Sequence, residues 1–172
     1  MESNYTNCKA NIVLTKREEE LFQLFLKVQN HYYQNQKLTL RVAGGWVRDK
    51  LLGLESHDID IALDTVTGVN FTQNLQNYMK ENNIGQTKGF GVIKPNPDQS
   101  KHLEAATINI DGDWLDFVNL RKEEYTADSR VPTIEFGTPE EDALRRDLTI
   151  NALFYNINES KVEDFTQKGL QD

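Results

Sequence analysis

Cysteine is nearly absent from this chain. Cys8 is the only one among 172 residues. No internal disulfide can form, and a zinc site built on cysteine has too few ligands. A reducing compartment is the simpler setting. Long apolar runs are missing as well. None is long enough to span a bilayer, so no membrane partner is expected. The opening Met1-Glu2-Ser3-Asn4 has neither the basic and apolar regions of a signal peptide nor the arginines of a transit peptide. Internal repeats and low-complexity tracts are also lacking. Positive charge is in short supply, with 19 Lys and Arg against 27 Asp and Glu, a formal net charge of -8. That excludes a surface given over wholly to nucleic acid but leaves room for a local basic strip.

What is present suffices for a core. Hydrophobic residues make up 38% of the chain, and the length suits one domain with or without an arm. Residues 1–14 carry weak signals and read as an N-terminal arm. Thr15-Lys16-Arg17-Glu18 is a capping box, and Leu21, Leu24, Phe25 and Val28 follow helical spacing, so a helix is expected over about 16–33. Residues 38–43 form a β-rich run that ends at Gly44-Gly45. A short helix follows through Val47, Leu51 and Leu52, stopped by Gly53. Ile59 and Ile61 mark a second strand, and Phe71, Leu75, Tyr78 and Met79 the next amphipathic helix. Residues 85–100 read mostly as turn and flexible loop, with a short strand at 90–93. Strands at 105–110 and 114–120 are joined through Asp111-Gly112, a strong hairpin signal.

Residues 121–130 read as a charged connection. Thr138-Pro139-Glu140-Glu141 starts a helix, with Thr138 as cap and Pro139 at its first position. That helix is expected to carry Arg145 through about Ala152. A last strand pair is expected at 154–157 and 162–165. The fold class is α+β, a mixed sheet flanked by helices.

Three short pieces carry the chemistry. In the first, Gly44-Gly45-Trp46-Val47-Arg48-Asp49, the glycines let backbone approach a ligand. N–H groups at the helix start favour phosphate, and Arg48 can reach it with two parallel hydrogen bonds. The second is Asp58-Ile59-Asp60-Ile61-Ala62. Asp58 and Asp60 lie two apart on a strand and point the same way, so their oxygens can share a hard divalent cation. Asp116, between Trp114 and Val118 on one strand face, is the candidate third carboxylate, with Glu104 as its rival. The third piece is Arg145-Arg146-Asp147-Leu148-Thr149-Ile150-Asn151-Ala152-Leu153. On a helix, Asp147 and Asn151 would share a face, and Leu144 with Leu148 would form a packing face. Arg146 can contact phosphate or base. Each piece alone is weak evidence, because solvated strands and surface helices carry the same letters. Together they point to transfer of a nucleotide from a triphosphate.

The combination resembles the catalytic head of the class II tRNA nucleotidyltransferases, the CCA-adding enzymes, and of the bacterial poly(A) polymerases, within the polymerase β superfamily. The family pattern is Gly-Gly-x-Val-Arg-Asp, then Asp-x-Asp, then Arg-Arg-Asp-x-x-x-Asn-Ala. The resemblance covers about residues 15–172. Ser56-His57-Asp58-Ile59-Asp60-Ile61-Ala62 and Asp116-Phe117-Val118-Asn119-Leu120-Arg121 look eukaryotic and closest to fungal enzymes, as does Val162-Glu163-Asp164-Phe165-Thr166 with Gly169-Leu170.

The resemblance implies a polymerase β-type fold. It also implies magnesium on Asp58 and Asp60, a third acid at Asp116, and Gly44, Gly45 and Arg48 on the triphosphate. Arg146, Asp147 and Asn151 would lie on the nucleotide. The substrates would be CTP, ATP and the tRNA 3′ end. It further implies an intracellular enzyme of cytoplasm, nucleus or mitochondrion. The base-selecting helix of the family lies in a neck domain after the head, so neck, body and tail would be supplied elsewhere, in cis or in trans. Glu141-Asp142-Ala143-Leu144-Arg145 matches that helix by letters, but it abuts Arg146-Asp147 and is not expected to select bases.

Overall fold

The computed structural model describes residues 11–93, 105–125, 127–128 and 133–172. Residues 1–10 of the expected arm, residues 94–100 of the expected loop and the rival carboxylate Glu104 lie outside them.

The first helix, α1 (Lys16–Tyr32), starts where the capping box places it. Glu18 N donates to Thr15 Oγ1 at 3.2 Å, and Thr15 N donates to Glu18 Oε2 at 2.8 Å. Ile12 and Leu14, just before it, pack against the core. Then come β1 (Leu40–Ala43), α2 (Gly45–Leu51), β2 (Ile59–Leu63) and α3 (Gly68–Glu81), the last capped by Thr67. β3 (Thr87–Ile93), β4 (Ala105–Ile110) and β5 (Asp113–Asn119) complete one side of the sheet. β4 and β5 turn through Asp111 (φ 50°) and Gly112 (φ 100°), both in the left-handed region, as the Asp-Gly hairpin requires. A separate ribbon pairs β6 (Arg121–Glu124) with β7 (Thr133–Phe136), then α4 (Pro139–Leu144), β8 (Phe154–Asn156) and β9 (Lys161–Glu163) follow.

The seven-stranded sheet has the order β3-β4-β5-β2-β1-β8-β9. β2 and β5 run parallel and every other pair is antiparallel, so the sheet is mixed as expected. α1 and α3 supply the core on one face, where Phe117 of β5 meets Phe25 and Phe71, each with ring centroids 5.3 Å away. On the opposite face a smaller cluster of Ala43, Ala62, Leu120, Ala143, Ala152 and Phe154 seats α4. Its alanines let backbones come close beneath the carboxylate strand. No helix among the described residues is long and apolar enough to cross a membrane.

Three expectations fail. β3 is a full strand running back from Ile93 to Thr87, where turn residues predict mostly loop. Gly89 and Gly91 are absorbed there, Gly89 at positive φ at the break in register between Lys88 and Phe90, a β-bulge that glycine tolerates. The charged stretch after Leu120 is not mere connection, because Arg121–Glu124 pairs with β7. Finally, α4 stops at Leu144. The Arg146 N–H already reaches back to Ala143 O, a tighter turn, and Leu148 is extended. A single 3₁₀ turn (Thr149–Asn151) then delivers Leu153 to the sheet. Asp147 and Asn151 therefore share no helix face, and Leu144 (71%) and Leu148 (57%) are exposed rather than packed. No glycine or proline marks this stop. It comes from tertiary placement of β8 beside β1, which overrides local propensity.

Candidate active site

Asp60 and Asp116 are register partners on the parallel strands β2 and β5. They lie side by side on the face away from the α1 and α3 core, since Ile59, Ile61, Leu115 and Phe117 point into that core. Asp116 accepts from Thr107 Oγ1 of β4 at 2.5 Å. Asp58, expected on the same strand as Asp60, instead precedes it and is exposed, because the strand begins at Ile59 where pairing with Leu115 starts. Asp60 is held above the usual carboxylate range, first by burial, then by repulsion from Asp116 and from Asp58. Arg146 and Arg121 oppose that shift. Asp60 as a whole residue is exposed, so desolvation reaches only part of its carboxylate and water screens the shift. Among the described residues, no group of three or more His, Cys, Asp or Glu is arranged to hold a metal. What stands here is a crowded carboxylate pair with an outlying third acid.

The glycine turn begins beside this pair, because Ala43 is the register partner of Asp60 on β1. Gly44 sits at φ 76° and ψ −136° and donates its N–H to Leu153 O at 3.3 Å. A Cβ on Gly44 would meet Arg146 Nη1 at 3.4 Å, and one on Gly45 would meet Arg48 Nη2 at 3.4 Å. Both guanidiniums thus lie against the turn. Arg48 donates to Asp49 Oδ1 at 3.0 Å and to Asn151 Oδ1 at 2.7 Å. Asn151 therefore orients Arg48, a bond across the fold that letter spacing cannot reveal.

The conformation of Gly44 is one that side chains rarely adopt. Gly44→Ala is expected to lower stability by about 1–3 kcal/mol, read as a lower urea midpoint. An unchanged midpoint would mean that the turn relaxes into an ordinary conformation.

Asp142 is the residue that sequence reasoning missed. Its carboxylate is buried, with 1% of the residue exposed. Oδ1 accepts from Arg146 Nε and pairs with Arg146 Nη2, both at 3.0 Å. Oδ2 accepts from Arg145 Nη2 at 3.2 Å and from the Arg121 backbone N–H at 2.9 Å. One acid thus anchors two arginines and the start of β6. Its spacing three and four residues before Arg145 and Arg146 was readable as helix pairing, but its burial was not. The Arg121 guanidinium has no ion pair among the described residues. Burial, then the neighbouring Arg145, lowers its pKa. Asp147 is exposed and makes no hydrogen bond or ion pair among the described residues. The structure does not draw it into this cluster.

Behind the turn, Glu18 ties α1 to α2. It pairs with Lys50 Nζ at 2.7 Å and accepts from Trp46 Nε1 at 3.2 Å. A cleft of about 540 Å³ lies elsewhere, between α1 and the end of α3, and holds none of these residues. Carboxylates on β2 and β5, with arginines gathered beyond β1, can hold a cation on one side and polyphosphate on the other.

Comparison with known proteins places the chain in a family. The sequence profile of the Poly A polymerase head domain matches residues 40–172. A mitochondrial CCA tRNA nucleotidyltransferase of Saccharomyces cerevisiae is 49% identical over 99% of this chain and 33% of its own length. Its counterpart in Candida glabrata is 51% identical over 94% of this chain and 32% of its own. The chain therefore spans about a third of the length of these curated relatives. A solved CCA-adding enzyme, apo form II, superposes with a TM-score of 0.68 at 25% identity, over 92% of this chain and 34% of that one. With the profile covering most of its residues and this fold beneath them, the chain belongs to the family of the Poly A polymerase head domain.

Proposed function

We propose that this chain is the catalytic head of a magnesium-dependent nucleotidyltransferase that adds CCA to tRNA 3′ ends from CTP and ATP. The observation that carries this reading is the register pair Asp60–Asp116, set beside the glycine turn and its arginines. The repulsion within the carboxylate group is what a bound divalent cation relieves, and two carboxylates plus phosphate oxygens and water suit magnesium. Asp58 and Asp60 would hold it. When bound, magnesium lowers the pKa of the attacking hydroxyl and neutralises charge on the leaving pyrophosphate.

The chain's own residues do the rest. Arg48, oriented by Asn151, and Arg146, oriented by Asp142, grip the triphosphate over Gly44 and Gly45. Asp116 would either help hold the cation or accept the proton of the attacking hydroxyl. The terminal tRNA hydroxyl attacks the α-phosphate and pyrophosphate departs. Asp147 is free to meet the ribose. The likeness to mitochondrial enzymes supports action in mitochondria. The chain spans about a third of those relatives' length, and a share of the tRNA contact is assigned to segments outside the matched third.

The test is magnesium-dependent incorporation of labelled CTP and ATP into tRNA lacking its CCA end. The parent is expected to incorporate, and the Asp58→Ala, Asp60→Ala double variant is not. Incorporation by the variant at the parental rate would sink the assignment. The family's poly(A) member name favours one rival, an enzyme that adds only A. Long products from ATP alone would decide for it.

A further inference from the structure

Asp116 shares its face of β5 with Trp114, two residues earlier. The chain has two tryptophans, and they differ sharply. Trp46 is 1% exposed, whereas Trp114 is 57% exposed. The Trp114 indole reaches across β4 to Gly89 of β3, where an added Cβ would meet its Cη2 at 3.2 Å. Glycine there gives the ring a flat seat. Register aligns Lys88, Asn109 and Trp114 in one row across β3, β4 and β5. Lys88 is exposed, and Asn109 is buried between the two. On the other side of Trp114, the pairing of Ile59 with Leu115 brings Asp58 alongside.

A single exposed aromatic is ordinary on a protein surface. The position of Trp114 is not. The sheet order puts the glycine turn, Arg48 and Arg146 on the β1 side of the Asp60–Asp116 pair and Trp114 on the opposite side. Phosphoryl transfer needs the attacking and leaving oxygens roughly in line. A triphosphate held on the β1 side therefore brings the attacking RNA end in over β5, β4 and β3. Trp114 lies about 7 Å along the strand from Asp116, within reach of the base of a nucleotide whose hydroxyl is at Asp116.

We propose that Trp114 is a stacking platform for the 3′-terminal base of the acceptor RNA, with Lys88 taking the phosphate on its 5′ side. This rests on the nucleotidyltransferase reading above. An indole accepts any base, because every base offers a π-face. Such a platform suits an acceptor whose terminal base changes as nucleotides are added.

The two tryptophans supply the test. Trp114 dominates the solvent-quenchable emission, since Trp46 is buried. A short single-stranded RNA with a free 3′ hydroxyl is expected to quench that emission saturably and to shield it from acrylamide. Trp114→Phe removes the signal while Trp46 reports that the fold is intact. In turnover, Trp114→Ala is expected to raise KM for the RNA about 5- to 100-fold with KM for CTP unchanged, and Trp114→Phe recovers most of the loss. Lys88→Gln is expected to flatten the salt dependence of RNA binding. Unaltered acrylamide access at saturating RNA, no RNA binding, or a parental RNA KM in Trp114→Ala would overturn the proposal. So would shielding by CTP alone, which would hand the platform to the incoming nucleotide. A thermal shift with CTP and magnesium tests the underlying reading separately, because it does not involve Trp114.

Discussion

Asp60→Asn is expected to abolish nucleotide transfer and, in the absence of divalent cations, to make the protein more stable. The activity loss should be about a thousandfold or more, because a cation ligand beside the reacting phosphate is removed. The stability gain follows from the environment of Asp60. Burial, then Asp116 and Asp58, raises its pKa in the fold above that of the unfolded chain. A carboxyl shifted upward supports the fold while protonated, below its unfolded pKa. That support is lost as pH rises through the folded value. At neutral pH the charged side chain is a net cost, which the amide lacks. Asp60 keeps solvent contact, so screening limits the effect. A rise in Tm of roughly 1–3 °C at pH 7 is expected, shrinking towards acid pH. Magnesium should then raise the Tm of the parent and leave the variant unchanged, since only a folded site that binds it gains stability. A variant less stable than the parent at pH 7 without metal, or equally responsive to magnesium, would contradict this account.

The second large effect is expected at Asp142. Its carboxylate is buried and serves Arg145, Arg146 and the Arg121 backbone at once. Removing one partner of a buried ion pair leaves the other uncompensated, which costs several kcal/mol. Arg145 and Arg146 retain some solvent contact, with 21% and 23% of their side chains exposed. The low end of the range applies, roughly 3 kcal/mol for Asp142→Ala. Asp142→Asn is the more telling variant. It can still accept from the Arg121 N–H and should fold, but it no longer holds Arg146 by charge over Gly44. A rise in KM for the nucleotide, with smaller loss of stability than in the Ala variant, is expected. A KM for nucleotide equal to the parent's in Asp142→Asn would show that the anchor is structural only.

Much of this molecule was legible because it rests on short-range chemistry. The start of α1 follows from the reciprocal bonds of Thr15 and Glu18, which span three residues. The β4–β5 turn follows from Asp111 and Gly112, whose backbones accept positive φ. Alternation along β2 put Ile59 and Ile61 in the core and Asp60 opposite. The third motif was legible as letters but misread as geometry. Its arginines do cluster, and Asn151 does have a partner. The helix meant to carry them ends at Leu144, and Asp147 stands apart.

The difference is one of range. Caps, turns, strand faces and the identities of the acids and arginines can be read along the chain, because each depends on neighbours a few residues away. Which of them meet is set by long-range packing. The parallel register of β2 on β5 pairs Asp60 with Asp116, the burial of α4 turns Asp142 into an anchor, and the 3₁₀ turn sets Asn151 against Arg48 of α2. Such contacts join residues tens of positions apart, and they are settled by packing of the whole sheet rather than by any local preference.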